Sequence, residues 1–447
     1  MLTADQARTP GLWKRGVLWL LVLGPFFFIS YGFTNWVSSL RTDVGVIMFA
    51  WEQHIPLLPW TIIPYWSIDI LYGLSFLLPA TRREMDRHAL RLLTVQLICV
   101  VCFLIWPLTL AVSRPELPGI LGAMFDLLMG FDKPFNQAPS LHIALLVVLW
   151  ARFAAHLTPR WQPVLHIWFS LIALSVLTTW QHHFIDLPTG ALVGLVCLWL
   201  WPTQHASPLA ALKLTRDPQR RRLAGLYLAS ASLLSALAFV LGASALWLLW
   251  PAVSLLLVGL NYLVLGAQGF QKNSQGQLSL GALGLLAPYL LGAWINSRLW
   301  TRHAPAPVEV LDNVWLGRIP DQRTLSRFDA VVDLCAELPI NTQGKLYYSV
   351  PVLDLTVPSS QSCHAAAQAI EQAHQQGTVL VCCALGYSRS AMAVCAWLLI
   401  TQRCTTVEHA LACVRQAHPN VVLKDSHQHV LQALSFSAKT QVSDENL

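Results

Sequence analysis

The sequence predicts a multi-pass α-helical membrane bundle of eight or nine transmembrane helices, followed by a C-terminal α/β domain. Three observations predict this fold class. Of the 447 residues, 55% are hydrophobic and only 12% are charged, whereas soluble proteins carry about 25% charged residues. Apolar stretches long enough to cross a bilayer recur through the first 300 residues. From residue 308 onward, short β-rich runs (308–311, 330–334, 347–352 and 378–382) alternate with helical patterns.

Charge and composition divide the chain near Ala304. Residues 1–303 contain 20 Lys and Arg against 11 Asp and Glu, while residues 304–447 contain 9 against 12. Of the 19 Trp, 17 lie in the first part, where indole rings suit a membrane interface. Seven of the ten Cys lie in the second part. The net charge of +6 therefore belongs to one part only, and it does not indicate a nucleic-acid partner.

Nine apolar stretches are candidates for transmembrane helices. They lie at residues 17–36, 60–78, 92–112, 141–157, 161–179, 187–201, 223–241, 245–265 and 278–295. Basic residues precede the first stretch, as in a signal peptide, but the stretch is too long and no small-residue cleavage pattern follows, so we expect a retained anchor. The last stretch is the weakest. If it is re-entrant, the chain crosses the membrane eight times.

The predicted organisation has five parts. These are a six-helix membrane domain (15–205), additional transmembrane helices (222–297), a linker (298–307), the α/β domain (308–437) and a tail (438–447). Basic residues cluster in alternate loops, which the positive-inside rule assigns to the cytoplasm. We predict an integral protein of the bacterial inner (plasma) membrane. Nine crossings would put the α/β domain outside, but its seven cysteines favour the cytoplasm slightly.

Two polar constellations fall on the predicted outer face of the membrane domain. Ser140 and His142 occur in the first, and His182, His183 and Asp186 occur in the second. The four-residue spacing lets Asp186 hold the His182 imidazole in one tautomer, if the turn is helical. We therefore predict that His182 attacks phosphorus and that His142 protonates the leaving oxygen. The alternatives are solvated interfacial histidines and a metal site that His183 would join. We predict no metal and no cofactor.

The elements Pro139-Ser140-x-His142 and His182-x3-Asp186 resemble the second and third signatures of the type 2 phosphatidic acid phosphatase superfamily. The resemblance covers about residues 15–205. It implies a core of six transmembrane helices and a phosphohistidine on His182. It also implies that Asp186 orients this histidine and that His142 serves as the acid.

The membrane domain departs from that superfamily in its phosphate-binding residues. The first signature, Lys-x6-Arg-Pro, is not recognisable, and Val176 stands where an Arg is common. We therefore assign phosphate binding to Ser140 and Lys133. The pattern is closer to the inositol phosphorylceramide and sphingomyelin synthase branch, which implies transfer of phospho-headgroups between lipids. Hydrolysis, transfer and an inactive lipid-binding core all stay open.

The segment VLVCCALGYSRS at residues 379–390 carries the strongest chemical pattern. An apolar strand leads to Cys383, and Arg389 closes a short loop where a helix begins. Backbone N–H groups, a helix N-terminus and a guanidinium then converge on one spot, which suits a phosphate. The same field favours the thiolate of Cys383, the form that attacks phosphorus. The predicted substrate-binding residues of this loop are Ala384, Leu385, Gly386, Tyr387 and Ser388.

The motif Cys383-x5-Arg389-Ser390 after a strand resembles the protein tyrosine phosphatase superfamily, and CCALGYSRS is similar to its dual-specificity branch. The resemblance covers nearly all of residues 308–437. It implies a cysteinyl-phosphate on Cys383, with Arg389 binding the phosphate oxygens and Ser390 easing departure of the thiolate. Asp354, 29 residues before Cys383, matches the general acid.

Together these patterns predict a bifunctional membrane phosphatase. The C-terminal domain would hydrolyse a phosphomonoester, and the membrane domain would act on a lipid phosphate. The predicted partners are membrane lipids, a phospholipid or lipid phosphate, and a phosphorylated protein or small phosphomonoester. One alternative is a headgroup transferase with a trimming phosphatase, and another is a protein phosphatase anchored by a silent membrane domain.

Cys382 stands where the protein tyrosine phosphatase superfamily usually has His. It could form a strained disulfide with the adjacent Cys383.

Overall fold

The computed structural model describes residues 9–444, and the chain forms two compact units, residues 1–207 and 208–447. The first unit is helical. The second unit joins three helices to an α/β domain. Of the predicted tail, residues 445–447 lie outside the described residues.

Seven helices build the first unit. Side-chain caps define two of their starts: Thr81 accepts a hydrogen bond from the backbone N of Glu84, and Ser140 accepts one from Ile143. The helices are α1 (Leu12–Ser39), α2 (Ile62–Ser75), α3 (Arg82–Ile105), α4 (Gly119–Phe131), α5 (Leu141–His156), α6 (Gln162–Thr178) and α7 (Asp186–Leu200).

Helices α5 and α7 pack closely because two glycines face α5. A Cβ added at Gly190 would lie 2.5 Å from the Ser140 carbonyl oxygen, and one added at Gly194 would lie 2.7 Å from Cβ of Val147. Small residues four apart allow this close approach of two helices. The packing brings the start of α7 beside the start of α5, where the predicted histidines lie.

Basic residues of the predicted cytoplasmic loops make specific contacts in the first unit. Arg91 is buried and donates to the Trp201 carbonyl at the end of α7, at 2.8 Å. Arg87 donates to the next carbonyl, that of Pro202. These residues therefore cap a helix C-terminus, in addition to any role in topology.

Six helices in the described part of the chain are long and apolar enough to cross a membrane. They are Leu12–Ser39, Arg82–Ile105, Pro159–Thr178, Pro218–Leu241, Ser244–Phe270 and Leu280–Trp300. The other three predicted stretches (60–78, 141–157 and 187–201) contain helices α2, α5 and α7, of 14, 16 and 15 residues. These helices are about 21 to 24 Å long, shorter than the roughly 30 Å hydrocarbon core. By length and composition, six helices of the described residues could span a membrane, whereas eight or nine were predicted.

Three helices begin the second unit: α8 (Pro218–Leu241), α9 (Leu249–Leu260) and α10 (Leu280–Trp300). Asp217 caps α8, and Pro218 occupies its first turn. Helix α10 is one continuous helix over the stretch that we considered re-entrant, and it extends three residues into the predicted linker (298–307).

A five-stranded sheet forms the α/β domain, in the order β1-β2-β5-β3-β4. Strands β2, β5, β3 and β4 are parallel to one another, and the edge strand β1 is antiparallel to β2. The strands are β1 (Val308–Leu311), β2 (Val314–Arg318), β3 (Ala330–Cys335), β4 (Leu346–Val352) and β5 (Val379–Cys383). The helices are α11 (Gln322–Leu325), α12 (Ser360–His374), α13 (Arg389–Ile400), α14 (Val407–Ala417) and α15 (Asp425–Asp444).

The sheet core positions the site. Strands β3 and β5 are buried along their whole length, and α12 and α13 pack against them around the fully buried Trp397. Because β2, β3, β4 and β5 are parallel, their carboxyl ends meet at one edge of the sheet. Loops that follow parallel strands at this edge commonly form binding sites.

Candidate functional sites

Cys383 is the last residue of β5, and its thiol is 2% exposed. Its sulfur accepts hydrogen bonds from the backbone N of Gly386 at 3.2 Å and from Ser390 Oγ at 3.3 Å. Both donors would stabilise a thiolate more than a neutral thiol. The structure therefore brings together three residues that the sequence predicted as one site.

Gly386 is required by the shape of this loop. Its φ is +83°, which side chains rarely adopt, and an added Cβ would lie 2.6 Å from the backbone carbon of Gly317. Any larger residue would push the loop away from β2. The close approach keeps the backbone N of Gly386 directed at Cys383.

Arg389 begins α13 and is held by acceptors from two other strand ends. Its guanidinium donates to both carboxylate oxygens of Glu337, at 2.9 and 2.7 Å, and to the Val352 carbonyl at 2.8 Å. An oxygen of Asp354 lies 2.9 Å from the same guanidinium. Glu337 was not predicted from the sequence, because it precedes Arg389 by 52 residues and belongs to no local motif.

Burial and charge act in opposite directions on this cluster. Burial alone would raise the pKa of Glu337, but the charge and hydrogen bonds of Arg389 hold it below its ordinary value. Burial raises the pKa of Asp354, and the Glu337 carboxylate adds to the increase, against the opposing effect of Arg389. Asp354 therefore keeps its proton to higher pH than an ordinary aspartate, as a general acid requires.

The other loop residues are fixed by neighbours. The Ala384 carbonyl accepts from Ser297 Oγ at 2.5 Å, and the Tyr387 hydroxyl donates to the Trp300 carbonyl at 3.1 Å. Ser388 Oγ lies 3.1 Å from His427 Nε2. Leu385 is half-buried. The backbone of the loop is thus held in place before any substrate binds.

Cys382 and Cys383 face opposite sides of the sheet. Cys382 packs in a cluster with Leu380 and Ala384, whereas Cys383 packs with Val379 on the other face. This separation follows from the alternation of side chains along a strand. All ten cysteines are free in the described residues, so the disulfide considered from the sequence is not formed. Burial raises the pKa of Cys382 well above its ordinary value.

In the first unit, the predicted histidine site is assembled at the start of α7. His182 Nδ1 lies 3.0 Å from Asp186 Oδ2, and His182 Nε2 lies 3.2 Å from Ser140 Oγ. The backbone N of His183 also donates to Asp186. Asp186 is therefore placed to fix the tautomer of His182. His182 lies in a bend before α7, so the contact forms without the helical turn on which the four-residue spacing argument depended.

His142 and His182 line one cavity of about 390 Å³. The His142 ring stacks on Tyr65 with centroids 4.2 Å apart, and its buried Nε2 has no hydrogen-bond partner among the described residues. Asp132 lines this cavity, whereas Lys133 is exposed and does not line it. The assignment of phosphate binding to Lys133 is thus not supported by the geometry, because the carboxylate and not the ammonium faces the cavity.

Glu52 is a second buried carboxylate that the sequence reasoning missed. It lies 3.1 Å from His183 Nδ1 and accepts from the backbone N of Phe184 at 2.9 Å. His183 Nε2 in turn accepts from the backbone N of Ala111. These contacts give the His183 imidazole partners other than His182 and Asp186, although its backbone N donates to Asp186.

A cluster of possible metal ligands lies in neither site. Cys404, His409 and Cys413 have ligand atoms within 4.8 Å of one another. No metal site was predicted from the sequence. The cluster contains none of the predicted catalytic residues.

Comparison with known proteins identifies the C-terminal part of the chain. Residues 314–435 match the family model of the dual specificity phosphatase catalytic domain. The chain contains a phosphoric monoester hydrolase domain. This match confirms the predicted enzyme class, and residues 314–435 are called the phosphatase domain below.

Solved structures are similar to this chain over about a third of its length. Tk-PTP in its active form is 29% identical, with 30% of this chain and 97% of that chain covered and a TM-score of 0.28. Human DUSP28 is 23% identical, with 30% and 99% covered and a TM-score of 0.28. PTPMT1 in complex with PI(5)P is 20% identical, with 30% and 97% covered and a TM-score of 0.28. No curated protein matches the chain.

Proposed function

We propose that the protein is a membrane-bound phosphatase whose C-terminal site hydrolyses phosphomonoesters through a cysteinyl-phosphate on Cys383. One observation carries the proposal. The Cys383 sulfur accepts two hydrogen bonds at the end of a buried strand, in the loop that Arg389 closes. Asp354 lies beside that arginine at 2.9 Å, at the end of another strand.

Each residue then has a defined part in the reaction. The Cys383 thiolate attacks phosphorus and the bond to the leaving oxygen breaks, while Asp354 gives its proton to that oxygen. Arg389 and the backbone N–H groups of the loop bind the phosphate oxygens. Water then attacks phosphorus and gives a proton to the Asp354 carboxylate, and the sulfur leaves as a thiolate that Ser390 stabilises.

Substitution of the nucleophile tests this proposal. Purified Cys383→Ser should lose the vanadate-sensitive hydrolysis of para-nitrophenyl phosphate, because a serine hydroxyl is a poor nucleophile without a base. Cys413→Ser is the matched control, since this half-buried thiol lies outside the loop. Vanadate-sensitive hydrolysis that persists in Cys383→Ser would exclude the cysteine mechanism.

For the first unit we propose a lipid-phosphate site in which His182 attacks phosphorus, Asp186 orients it and His142 is the acid. The contacts of His182 with Asp186 and Ser140 support this assignment. The resemblance to the type 2 phosphatidic acid phosphatase superfamily, with six transmembrane helices, is part of the same proposal. Residues 15–205 would form this domain and residues 222–297 the additional helices.

The charges of the cavity favour headgroup transfer over hydrolysis in this unit. The described residues that line the cavity include Asp69 and Asp132, and no Lys or Arg is among them. A phosphodiester carries one negative charge and a phosphomonoester nearly two, so two nearby carboxylates oppose the monoester more strongly. In a Cys383→Ser background, His182→Ala should abolish turnover of vesicle phospholipids. If no lipid reaction changes, the first unit is an anchor for a protein or lipid phosphatase.

We also propose that the chain crosses the bacterial inner membrane eight or nine times and that the phosphatase domain is cytoplasmic. Six long apolar helices support a membrane location. The three shorter helices would cross where the bilayer thins around them. A periplasm-specific reporter enzyme fused after Leu447 tests the orientation, and activity of that reporter would contradict a cytoplasmic domain.

A further inference from the structure

The helices of the second unit contact the phosphatase domain at the carboxyl edge of its sheet. Ser297 and Arg298 of α10 donate to carbonyls that follow β5 and β2, at 2.5 and 3.0 Å. Lys272, in the loop before α10, donates to Asp333 at 2.5 Å and to two carbonyls, one on the last residue of β3 and one in the loop that follows it. All four parallel strands are reached in this way, at these acceptors: Ile319 after β2, Ala384 after β5, Leu338 after β3 and Asp354 after β4.

Two of these contacts hold the loop that carries the proposed general acid. The Tyr262 hydroxyl donates to the Asp354 carbonyl at 2.9 Å, and Gln219 Nε2 donates to the Leu355 carbonyl. Leu355 has a φ of +55°, a left-handed conformation that leucine seldom adopts. Neighbours must hold a loop in such a conformation. Residues of α8 and of the segment after α9 therefore help to place Asp354.

A cluster of aromatic rings joins these helices beside the loop that carries Asp354, which Tyr262 contacts. Tyr227 of α8 stacks on Tyr262 with centroids 5.5 Å apart, and Tyr289 of α10 packs edge-on against Tyr227 at 6.0 Å. Phe270 lies 6.0 Å from Tyr289. Tyrosine presents an apolar ring with a polar tip, which suits the boundary between a headgroup and an acyl chain. These three tyrosines are called the tyrosine wall below.

Away from the site, the same helices expose large apolar side chains. Leu233 and Val240 of α8 are 69% and 81% exposed, and Leu291 and Trp294 of α10 are 60% and 49% exposed. Such faces are stable in lipid and unfavourable in water. Exposed Arg216 lies two residues before α8, and its charge attracts anionic lipid headgroups. The catalytic edge is therefore joined to a surface that suits a bilayer.

We propose that the phosphatase domain acts on a phosphomonoester carried by a membrane lipid, and that the tyrosine wall forms the lipid side of its active site. This inference rests on the proposed function of Cys383. A lipid phosphomonoester can reach Cys383 along the helix surface, with its acyl chains in the bilayer. A folded phosphoprotein has to approach the same edge, where α10 already contacts Ala384 and Tyr387 of the loop.

The test uses the full chain with His182→Ala, so that the first unit cannot contribute, reconstituted in phosphatidylcholine vesicles. The substrates are vesicle-borne phosphatidic acid, phosphatidylglycerol phosphate and phosphatidylinositol phosphate, a phosphotyrosine peptide, and para-nitrophenyl phosphate. We expect kcat/KM for at least one lipid to exceed that for the peptide by about tenfold or more, as a shared membrane surface allows. A peptide turned over as fast as every lipid would overturn the inference. If the His182→Ala protein does not hydrolyse para-nitrophenyl phosphate at all, the result would instead contradict the proposed function of Cys383.

Variants of the tyrosine wall separate its role from general stability. Tyr289→Ala should lower the ratio of lipid to para-nitrophenyl phosphate kcat/KM by about fivefold, mostly through KM, since a buried aromatic contact is lost. Tyr289→Phe keeps the ring and is the matched control, so it should retain most of the ratio. An unchanged ratio in folded Tyr289→Ala would show that the wall does not contact the substrate.

Discussion

At the residue scale, the most constrained group is Arg389. Its guanidinium is buried and lies against Glu337, the Val352 carbonyl and Asp354. A phosphate dianion that binds to this guanidinium must compete with Asp354, which is the more exposed of the two carboxylates at 32%. Glu337, at 2% exposure, is the partner that holds the arginine in position.

Removal of Glu337 is expected to weaken both folding and activity. Glu337→Ala leaves a buried guanidinium without its bidentate partner, which costs about 3 to 5 kcal/mol of stability. Because the pKa of Glu337 is lowered in the folded state, this stability is present at neutral pH and is lost as the pH falls through that lowered value. Denaturant unfolding of the parent and of Glu337→Ala at a series of pH values measures this contribution to the free energy of unfolding. A variant as stable as the parent at pH 7 would contradict the account.

The raised pKa of Asp354 predicts a pH dependence for hydrolysis. The acid works only when protonated, so kcat/KM should fall as the pH rises through this raised value. Asp354→Asn should lower kcat by about 100-fold or more and remove that falling limb. Asp312→Asn, in the turn at the opposite edge of the sheet, is the control. A falling limb that survives in Asp354→Asn would assign the acid to another group.

The sequence could predict the cysteine loop but not its partner. Cys383, Gly386 and Arg389 lie within seven residues, so a strand followed by a helix is enough to bring them together. Glu337 contacts Arg389 only because the order of the parallel strands places the loop after β3 beside the loop after β5. Glu52 contacts His183 although 131 residues separate them in the sequence. No local pattern marks either carboxylate. Lys133 was predicted to bind phosphate but does not line the cavity, because the sequence does not show which of two adjacent residues faces it.

At the scale of elements, the strands and helices of the α/β domain follow the sequence pattern. Predicted runs at 308–311, 330–334, 347–352 and 378–382 match β1, β3, β4 and β5 within one residue at each end. Strand β2 (Val314–Arg318) was not among them. Among the three short helices, hydropathy clearly overestimated only α2, because apolar residues flank it within the stretch 60–78. The stretches 141–157 and 187–201 match α5 and α7 within one residue at each end.

A matched pair of glycines tests the packing of α5 against α7. Gly194→Ala places a Cβ 2.7 Å from Cβ of Val147, which is too close for two carbon atoms. The substitution should therefore destabilise the first unit and move His182 away from Ser140. Gly225→Ala in α8 meets nothing within 4 Å and should be neutral or stabilise the helix by up to about 1 kcal/mol. Thermal unfolding in detergent compares them. Equal effects of the two substitutions would contradict close packing at Gly194.

At the scale of the whole molecule, two sites with different nucleophiles lie in two separate units. The proposed cysteine site draws every residue from the second unit and the proposed histidine site every residue from the first. Residue changes in one site should therefore leave the chemistry of the other intact, since sites without shared partners behave additively.

Single and double variants test this independence. Cys383→Ser should abolish phosphomonoester hydrolysis and retain the lipid reaction of the first unit, and His182→Ala should do the reverse. The double variant should lack both activities. Phosphate release and lipid turnover are measured on the same vesicle preparations. Loss of both reactions in either single variant would show that the two sites form one catalytic path.

The central claim is that Cys383 carries phosphate during turnover. Enzyme mixed with para-nitrophenyl phosphate and quenched in acid within one turnover can be digested and analysed by mass spectrometry. The account predicts one phosphoryl group on the peptide that contains Cys383, with greater accumulation in Asp354→Asn if breakdown of the intermediate is slowed more than its formation. Phosphate found on another residue, with the Cys383 peptide unmodified in an active enzyme, would contradict it.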